Sequence, residues 1–203
     1  MSTSPHNLFG VQLTPAHEQQ PRVFLSHRRP DKDIAREIAA YFEQLGLYYY
    51  FDEQDVVLER MLACGHTEAR AIVEAIEEGL RHCSHLLGVL SMHTMGSWWV
   101  PYEIGSARAR GHETAHLIVD AVGVVALPEF IRIVPNVTSA DALFGWAKPI
   151  ARWPESFVQR CHDQWWAEEG GGVFGELGPG EEAIDDWLAM AETRNQAPLC
   201  QRA

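Results

Sequence analysis

Residues 86–91 (LLGVLS) form a short, almost wholly apolar run that has a helical pattern on each side. A run of this length without alternating polar side chains is typical of a strand that is buried on both faces. Such strands lie in the centre of parallel sheets, because helices cover both faces of those sheets. The run therefore predicts an α/β fold.

Further strands are predicted on both sides of this run. Residues 22–26 (RVFLS) and 47–51 (LYYYF) have the composition of the first and second strands, residues 116–119 that of a fourth, and residues 130–134 that of a fifth. Because strands and helices alternate at short spacing, we predict a central parallel sheet of about five strands flanked by helices.

Three helical patterns connect these strands. After Pro30, apolar side chains recur on one face until Gly46, which is a suitable C-cap. Thr67 is a suitable N-cap for the second helix. The third pattern covers residues 98–110 and ends at Gly111, and Pro101 within it indicates that this helix has only just begun.

The chain is predicted to have three parts. Residues 1–21 are polar and form an N-terminal arm, either a loose leader or a segment that packs on the domain; residues 22–153 form the α/β domain; residues 154–203 form an acidic C-terminal helical extension. Residues 161–193 contain no Lys or Arg, so the extension is either a solvated appendage or a surface for a partner. Its candidate packing anchors are Trp165, Trp166, Trp187 and Leu188.

The composition limits the partners of the chain. A formal net charge of −12 argues against nucleic acid as a partner, although a local basic pocket can still bind a small phosphorylated molecule. The four cysteines form no C-x-x-C pair, which favours free thiols in a reducing compartment. We see no signal peptide and no apolar run of membrane-spanning length. We therefore expect a cytoplasmic protein that binds neither nucleic acid nor membrane.

Polar side chains follow the first three predicted strands. These are residues 26–29, Asp52 with the loop after it, and residues 91–97, and Glu103 follows on the next helix. In an open parallel sheet, ligands bind outside the carboxyl ends of the strands. The order of these segments therefore predicts a functional site that includes Glu103.

Three motifs in this order resemble the Toll/interleukin-1 receptor (TIR) domain family. Residues 23–29 (VFLSHRR) resemble its first box, and residues 47–52 (LYYYFD) resemble its second strand, which ends in Asp before the "BB" loop. Trp99 and Glu103 resemble the W-x-x-x-E signature of TIR domains that cleave NAD⁺. The resemblance covers most of the chain and implies a flavodoxin-like TIR fold for the α/β domain.

The resemblance also implies an activity, cleavage of the nicotinamide–ribose bond of NAD⁺. Nicotinamide leaves NAD⁺ without a general acid, and its departure produces an oxocarbenium-like ribose. One carboxylate beside that ribose can stabilise the charge by about 3–4 kcal/mol. We assign this role to Glu103. Trp99 lies one helical turn earlier, where it either walls the pocket or packs the helix.

Other predicted substrate contacts lie at the ends of the first two strands. Guanidinium groups suit a diphosphate, and of Arg28 and Arg29 we expect one to face the ligand and the other solvent. Ser26 lies beside them, and His27 either stacks on a ring or fills the turn. Asp52 either hydrogen-bonds the ligand or fixes the loop that follows it. The chain has no G-x-G-x-x-G or P-loop motif, so NAD⁺ is expected as a substrate and no bound cofactor is predicted.

The resemblance further implies a role in prokaryotic antiviral defence. A standalone TIR chain is similar to the subunit of Thoeris-type systems that makes a nucleotide signal for a separate effector. The expected products are nicotinamide and ADP-ribose, or a cyclised or conjugated ADP-ribose. We expect a phage-derived trigger and homo-oligomerisation on activation, because neighbouring protomers often complete TIR active sites. The alternative from another functional class is a non-catalytic TIR interaction module.

The sequence HETAH, which begins at His112, matches the zinc-binding pattern H-E-x-x-H. That pattern binds zinc when a helix places both histidines on one face. Here Gly111 has just ended a helix and His116 opens an apolar, strand-like run, so a zinc hydrolase is disfavoured and no metal site is predicted. A second metal-like group lacks a further ligand pair and is interpreted as structural: His82, Cys83 and His85.

Overall fold

The computed structural model describes residues 6–9, 12–51, 63–65, 67–119, 135–151 and 154–169. The strands in these ranges are β1 (Arg22–Ser26), β2 (Tyr48–Tyr50), β3 (His85–Leu90), β4 (Glu113–Ile118) and β5 (Asn136–Val137). The helices are α1 (Pro15–Glu18), α2 (Lys32–Gln44), α3 (Glu68–Arg81), α4 (Trp99–Ala109), α5 (Ala140–Ala147) and α6 (Glu155–Glu169). Turns of 3₁₀-helix cover Arg29–Asp31, Met92–Gly96 and Lys148–Ile150.

The described strands form one parallel sheet in the order β2-β1-β3-β4-β5. The strand order reverses between β1 and β3, so the helices that follow these two neighbouring strands cover opposite faces of the sheet. Ser26, the last residue of β1, pairs with Gly88 of β3. The architecture is the predicted flavodoxin-like α/β fold, and its ligand-binding crevice is expected outside the carboxyl ends of β1 and β3.

Apolar side chains cover both faces of the sheet. Val23 and Leu25 of β1 belong to a core cluster with side chains of α2, α5 and α6, whereas Phe24 belongs to a second cluster with α3 and α4. Because side chains alternate along a strand, Ser26 points to the same face as Phe24, the face that α4 covers. The two-sided burial explains why the central residues of β1 and nearly all residues of β3 are apolar.

The helix ends agree with the predicted caps. Gly46 follows α2 with a φ of 70°, a conformation that glycine adopts without strain. The side chain of Thr67 accepts a hydrogen bond from the backbone of Arg70 at the start of α3. α4 begins at Trp99, within the predicted range. Within the described ranges, no helix combines the length and the apolar character that a bilayer-spanning segment needs.

The bounds of the last two strands differ from the prediction. β4 begins at Glu113 rather than at His116, because its first, polar residues pair with the start of β3 at the amino end of the sheet. There the side chain of Glu113 is exposed, so burial does not oppose its place in a strand. The predicted fifth strand, residues 130–134, lies outside the described residues, and the structure places β5 at Asn136–Val137.

Part of the N-terminal arm packs on β2. Asn7 forms a parallel bridge with Tyr49, and Leu8 is fully buried. The side-chain amide of Asn7 donates to the carbonyl of Phe51 (2.9 Å), and its oxygen accepts from the N–H of Phe51 (3.2 Å). Of the two alternatives, the structure therefore favours an arm that covers the open edge of β2, and a covered edge protects a sheet from unwanted pairing.

The first helix of the C-terminal extension also packs on the domain. Val158 of α6 is fully buried in the cluster that includes α2. The ring of His162 stacks on Phe144 (4.2 Å between centroids), and its Nδ1 lies 2.9 Å from the hydroxyl of Tyr41. Trp165 and Trp166 belong to α6, whereas Trp187 and Leu188 lie outside the described residues. The extension thus begins as a packed helix.

We predict that Asn7→Ala lowers the free energy of unfolding by about 1–3 kcal/mol, because it removes both side-chain partners of the Phe51 backbone. Urea denaturation followed by circular dichroism measures this change. The control is Gln12→Ala, an exposed position in the same arm, with an expected change within about 0.5 kcal/mol. Equal effects of the two substitutions would contradict the role of Asn7.

Candidate active site

Glu103 lies on the second turn of α4, where this helix crosses the carboxyl end of β1. The hydroxyl of Ser26 donates a hydrogen bond to the carboxylate of Glu103. Both residues are buried, with 1% of Ser26 and 8% of Glu103 exposed to solvent. The contact follows from the fold, since Ser26 ends the strand on the face that α4 covers.

The environment of Glu103 changes its proton affinity. Burial raises the pKa of Glu103 to about 7, because a buried carboxylate loses hydration, and this outweighs the opposing effects of the Ser26 hydrogen bond and the Arg28 charge. A carboxylate of this kind exchanges its proton near neutral pH. Such perturbed groups are common where a side chain takes part in chemistry.

Arg28 reaches toward the start of α4. Its Nη1 donates to the Oγ of Ser97 (3.3 Å), and its Nε is buried with no hydrogen-bond partner among the described residues. The same Ser97 oxygen accepts from the backbone N–H groups of Trp99 and Val100 (3.2 and 3.4 Å). A guanidinium group and a helix N-terminus therefore meet beside Glu103, and both favour negative charge.

The other residues at the end of β1 that are predicted to contact the substrate, His27 and Arg29, do not join Ser26, Arg28 and Glu103 in the structure. His27 packs edge-on against Phe51 (5.2 Å between centroids), and its Nδ1 lies 3.2 Å from the carbonyl of Leu25. Arg29 begins the 3₁₀ turn and is exposed. Asp52 lies outside the described residues. The structure thus brings Ser26, Arg28 and Glu103 together, and it places the His27 ring against the end of the second strand.

Trp99 is half-buried one turn before Glu103. It packs on the core cluster beneath α4 and lies perpendicular to Tyr102, with 6.4 Å between ring centroids. This packing agrees with the alternative in which Trp99 holds the helix. The neighbouring Trp98 is 87% exposed.

The comparison with known proteins agrees with this architecture. A family model described as the TIR domain matches residues 23–143, more than half of the chain. This chain belongs to the TIR domain family. A search of curated proteins finds no match to it. The matched residues include β1 from Val23 onward and all of α4, and hence both Ser26 and Glu103.

The TIR domain also contains buried polar residues that the sequence predicted only as part of the segment 91–97, or, for Asp31, did not predict. Asp31 and Ser91 are buried, and the Ser91 hydroxyl donates to the Asp31 carboxylate (2.8 Å). Thr94 and Ser97 are also buried in the segment after β3. The only available signal was their position after strand ends, since Asp31 alone looks like an ordinary helix cap.

The metal-like motifs of this TIR domain have other roles. Glu113 and His116 both lie on β4, so the helical geometry that H-E-x-x-H requires is absent. His82 caps its own helix, with Nδ1 2.8 Å from the carbonyl of Glu78, and Cys83 is buried in the core. Among the described residues, no three His, Cys, Asp or Glu side chains are grouped as metal ligands.

The raised pKa of Glu103 predicts a pH-dependent stability. Between the unfolded value of 4.5 and the folded value of about 7, the folded state binds more protons than the unfolded state, so wild-type stability falls as pH rises through this range. Glu103→Gln removes this pH-dependent contribution to the free energy of unfolding. We therefore expect the free energy of unfolding of the variant, relative to that of wild type, to rise by about 2–3 kcal/mol between about pH 5 and about pH 8.

Urea denaturation of both proteins across this pH range measures the difference. Glu18→Gln, which changes an exposed carboxylate, is the control and is expected to follow the wild-type curve. A difference between wild type and Glu103→Gln that is constant with pH would contradict the raised pKa.

Proposed function

We propose that this TIR-domain protein cleaves the nicotinamide–ribose bond of NAD⁺ with Glu103 as the catalytic carboxylate. The observation that carries the proposal is a buried carboxylate that accepts a hydrogen bond from Ser26, at the carboxyl edge of the sheet. Ligands of open parallel sheets bind at this edge. Family membership supports the proposal, since TIR domains include members that cleave NAD⁺.

The proposed reaction needs negative charge beside the ribose. Nicotinamide leaves with both electrons of the C–N bond, which neutralises its ring and leaves positive charge on the ribose. Ionised Glu103 stabilises that charge, and the Ser26 hydroxyl fixes the direction of its carboxylate. An oxygen of water or of a hydroxyl group then bonds to the ribose carbon and releases its proton to Glu103 or to water.

Arg28 is the proposed ligand of the diphosphate. Arg28 follows β1 and donates a hydrogen bond to Ser97 at the start of α4. The N–H of its buried Nε has no hydrogen-bond partner among the described residues. A guanidinium group suits an anion with several oxygens, and the positive end of the α4 dipole adds to the attraction. In this arrangement, binding the diphosphate at Arg28 places the nicotinamide end of NAD⁺ toward Glu103.

The proposed biological role is antiviral defence of the Thoeris type. The reaction releases nicotinamide and an ADP-ribose product, and transfer to a hydroxyl of the same molecule gives a cyclic product that serves as a signal for a separate effector. We propose that a phage-derived trigger promotes homo-oligomerisation and thereby activity. The support for this part is the resemblance of Trp99 and Glu103 to the signature of TIR domains that cleave NAD⁺.

A non-catalytic interaction module is the second candidate. The observation that favours it is Trp98, whose indole is 87% exposed at the start of α4. Exposed aromatic side chains are enriched at protein–protein interfaces. Self-association through this surface is compatible with either function, so catalysis has to be tested directly.

Glu103→Gln is expected to lower kcat for NAD⁺ cleavage at least about 100-fold, because it removes the charge that stabilises the ribosyl cation. Mass spectrometry of nicotinamide and ADP-ribose products at high protein concentration, with and without phage infection of the producing cells, measures the reaction. Glu113→Gln is the matched control, since it changes the exposed carboxylate of the HETAH sequence, and it is expected to retain wild-type kcat.

Equal rates for wild type and Glu103→Gln would refute the catalytic assignment. If wild type consumes no NAD⁺ in either condition, and Trp98→Ser abolishes self-association measured by sedimentation velocity, the interaction module is the better description.

The two arginines give a further prediction. Arg28→Gln is expected to raise KM for NAD⁺ about tenfold or more, because it removes a charged donor from the proposed diphosphate contact. Arg29→Gln, its exposed neighbour, is the control and is expected to change KM less than about twofold. Steady-state kinetics over a range of NAD⁺ concentrations separates KM from kcat. A larger effect at Arg29 would reverse the assignment.

A further inference from the structure

Asp31 is a buried carboxylate whose hydrogen-bond partner is not the helix that it precedes. It occupies the N-cap position of α2, where an aspartate side chain normally accepts from the first backbone N–H groups, yet its side chain makes no capping hydrogen bond. Its Oδ2 instead accepts from the hydroxyl of Ser91, sixty residues later in the chain (2.8 Å). Asp31 is 2% exposed and Ser91 is 5% exposed. A charge that is buried to this extent is costly unless it is held by specific partners.

Ser91 in turn organises the 3₁₀ turn after β3. Its Oγ accepts from the N–H of His93 (3.0 Å), and its own N–H donates to the hydroxyl of Thr94 (3.1 Å). The backbone carbonyl of Ser91 accepts from the N–H of Thr94 (3.0 Å). Every polar group of Ser91 is therefore engaged, and its side chain is the link between this turn and Asp31.

The turn leads directly into the helix that carries Glu103. The carbonyl of Thr94 accepts from the N–H of Ser97 (2.9 Å), and the Ser97 hydroxyl accepts from the first N–H groups of α4. A displacement of the turn is therefore transmitted to the start of α4. Because Glu103 lies on the second turn of that helix, its carboxylate moves relative to Ser26 when the start of α4 moves.

We propose that Asp31, acting through Ser91, is a positioning residue that joins the ends of β1 and β3 and so holds Glu103 against Ser26. Asp31 follows β1 by one short turn and Ser91 follows β3 directly, so their hydrogen bond connects the two strands at the point where the strand order reverses. The inference rests on the proposed function, because it assigns the Asp31–Ser91 pair to the placement of the proposed catalytic carboxylate.

Asp31 is assigned to positioning rather than to substrate contact because of its other neighbour. Its Oδ1 lies 4.0 Å from Nε2 of His93, whose side chain is more than half exposed. Both described polar neighbours of the carboxylate, Ser91 and His93, therefore come from the segment after β3. A residue that acts in this way affects kcat, because it changes the geometry in the transition state, whereas a substrate contact also affects KM.

The test compares single and double substitutions of this pair in the full-length protein. Asp31→Ala and Ser91→Ala are each expected to lower kcat for NAD⁺ cleavage about 10- to 100-fold with KM within about twofold. The double variant is expected to resemble the single variants, because both remove the same link. Asp31→Asn keeps an oxygen acceptor for Ser91 and is expected to retain most of kcat. Asp33→Asn changes an exposed carboxylate on the first turn of α2 and is the matched control.

Several outcomes would overturn the proposal. These are wild-type kcat in Ser91→Ala, losses that multiply in the double variant, or a rise of KM with unchanged kcat, which would make Asp31 a substrate contact. Thermal melts accompany each variant, and if Asp31→Ala does not fold, the uncharged change Ser91→Ala decides the question.

A second measurement does not depend on NAD⁺ cleavage. Carbon-13 NMR of glutamate-labelled protein follows the titration of the Glu103 carboxyl, which is assigned by its loss in Glu103→Gln. A displaced α4 admits water to this carboxyl, so Ser91→Ala is expected to move its midpoint by at least about half a pH unit toward the ordinary glutamate value. An unchanged midpoint would overturn the inference even if wild type is active. A shifted midpoint in a protein without NAD⁺ cleavage would retain the positioning role and reject the proposed function.

Discussion

The hydrogen bond between Ser26 and Glu103 forms only when the strand order, the direction of the Ser26 side chain and the start of α4 bring the two side chains together. A buried carboxylate costs several kcal/mol unless donors and positive charge compensate it. Here Ser26 donates directly, and the Arg28 charge also favours the ionised form. The contact exists only because β1 lies beside β3, because Ser26 faces the α4 side of the sheet, and because α4 starts close to the end of β3. The compensation is incomplete, and the high proton affinity of Glu103 follows from it.

Local sequence patterns were sufficient to predict the elements that carry this site. The apolar segments around Phe24 and Leu87 indicated buried strands, and the spacing of Trp99 and Glu103 indicated one helix face. The positions of Ser26 and Glu103 after strand ends suggested proximity. The hydrogen bond itself was not predictable from these patterns, since its partners are 77 residues apart and meet only when the strand order is known.

Asp31 and Asn7 show why other contacts were not predictable from the sequence. An aspartate before a helix ordinarily caps that helix, and an asparagine in a polar arm ordinarily faces solvent. In the folded protein, Asp31 accepts from Ser91 and Asn7 pairs with the backbone of Phe51. Both uses depend on a partner that is distant in sequence. The sequence HETAH is the opposite case, because its local context was sufficient to predict a strand after Gly111, and the structure places Glu113–Ile118 in β4.

Two described segments outside the family match pack on different parts of the sheet: α6 lies on the face opposite Glu103, whereas Phe9 of the N-terminal arm packs on the cluster that includes α4. α6 buries Val158 against the cluster that contains α2, and the N-terminal arm covers β2. Neither α6 nor Asn7 has a described hydrogen bond to Ser26 or Glu103. Among the described residues, α6 is connected to the proposed site through the sheet, by way of β1. Leu25 of β1 packs in the α2 cluster, whereas the next residue, Ser26, contacts Glu103 on the other face.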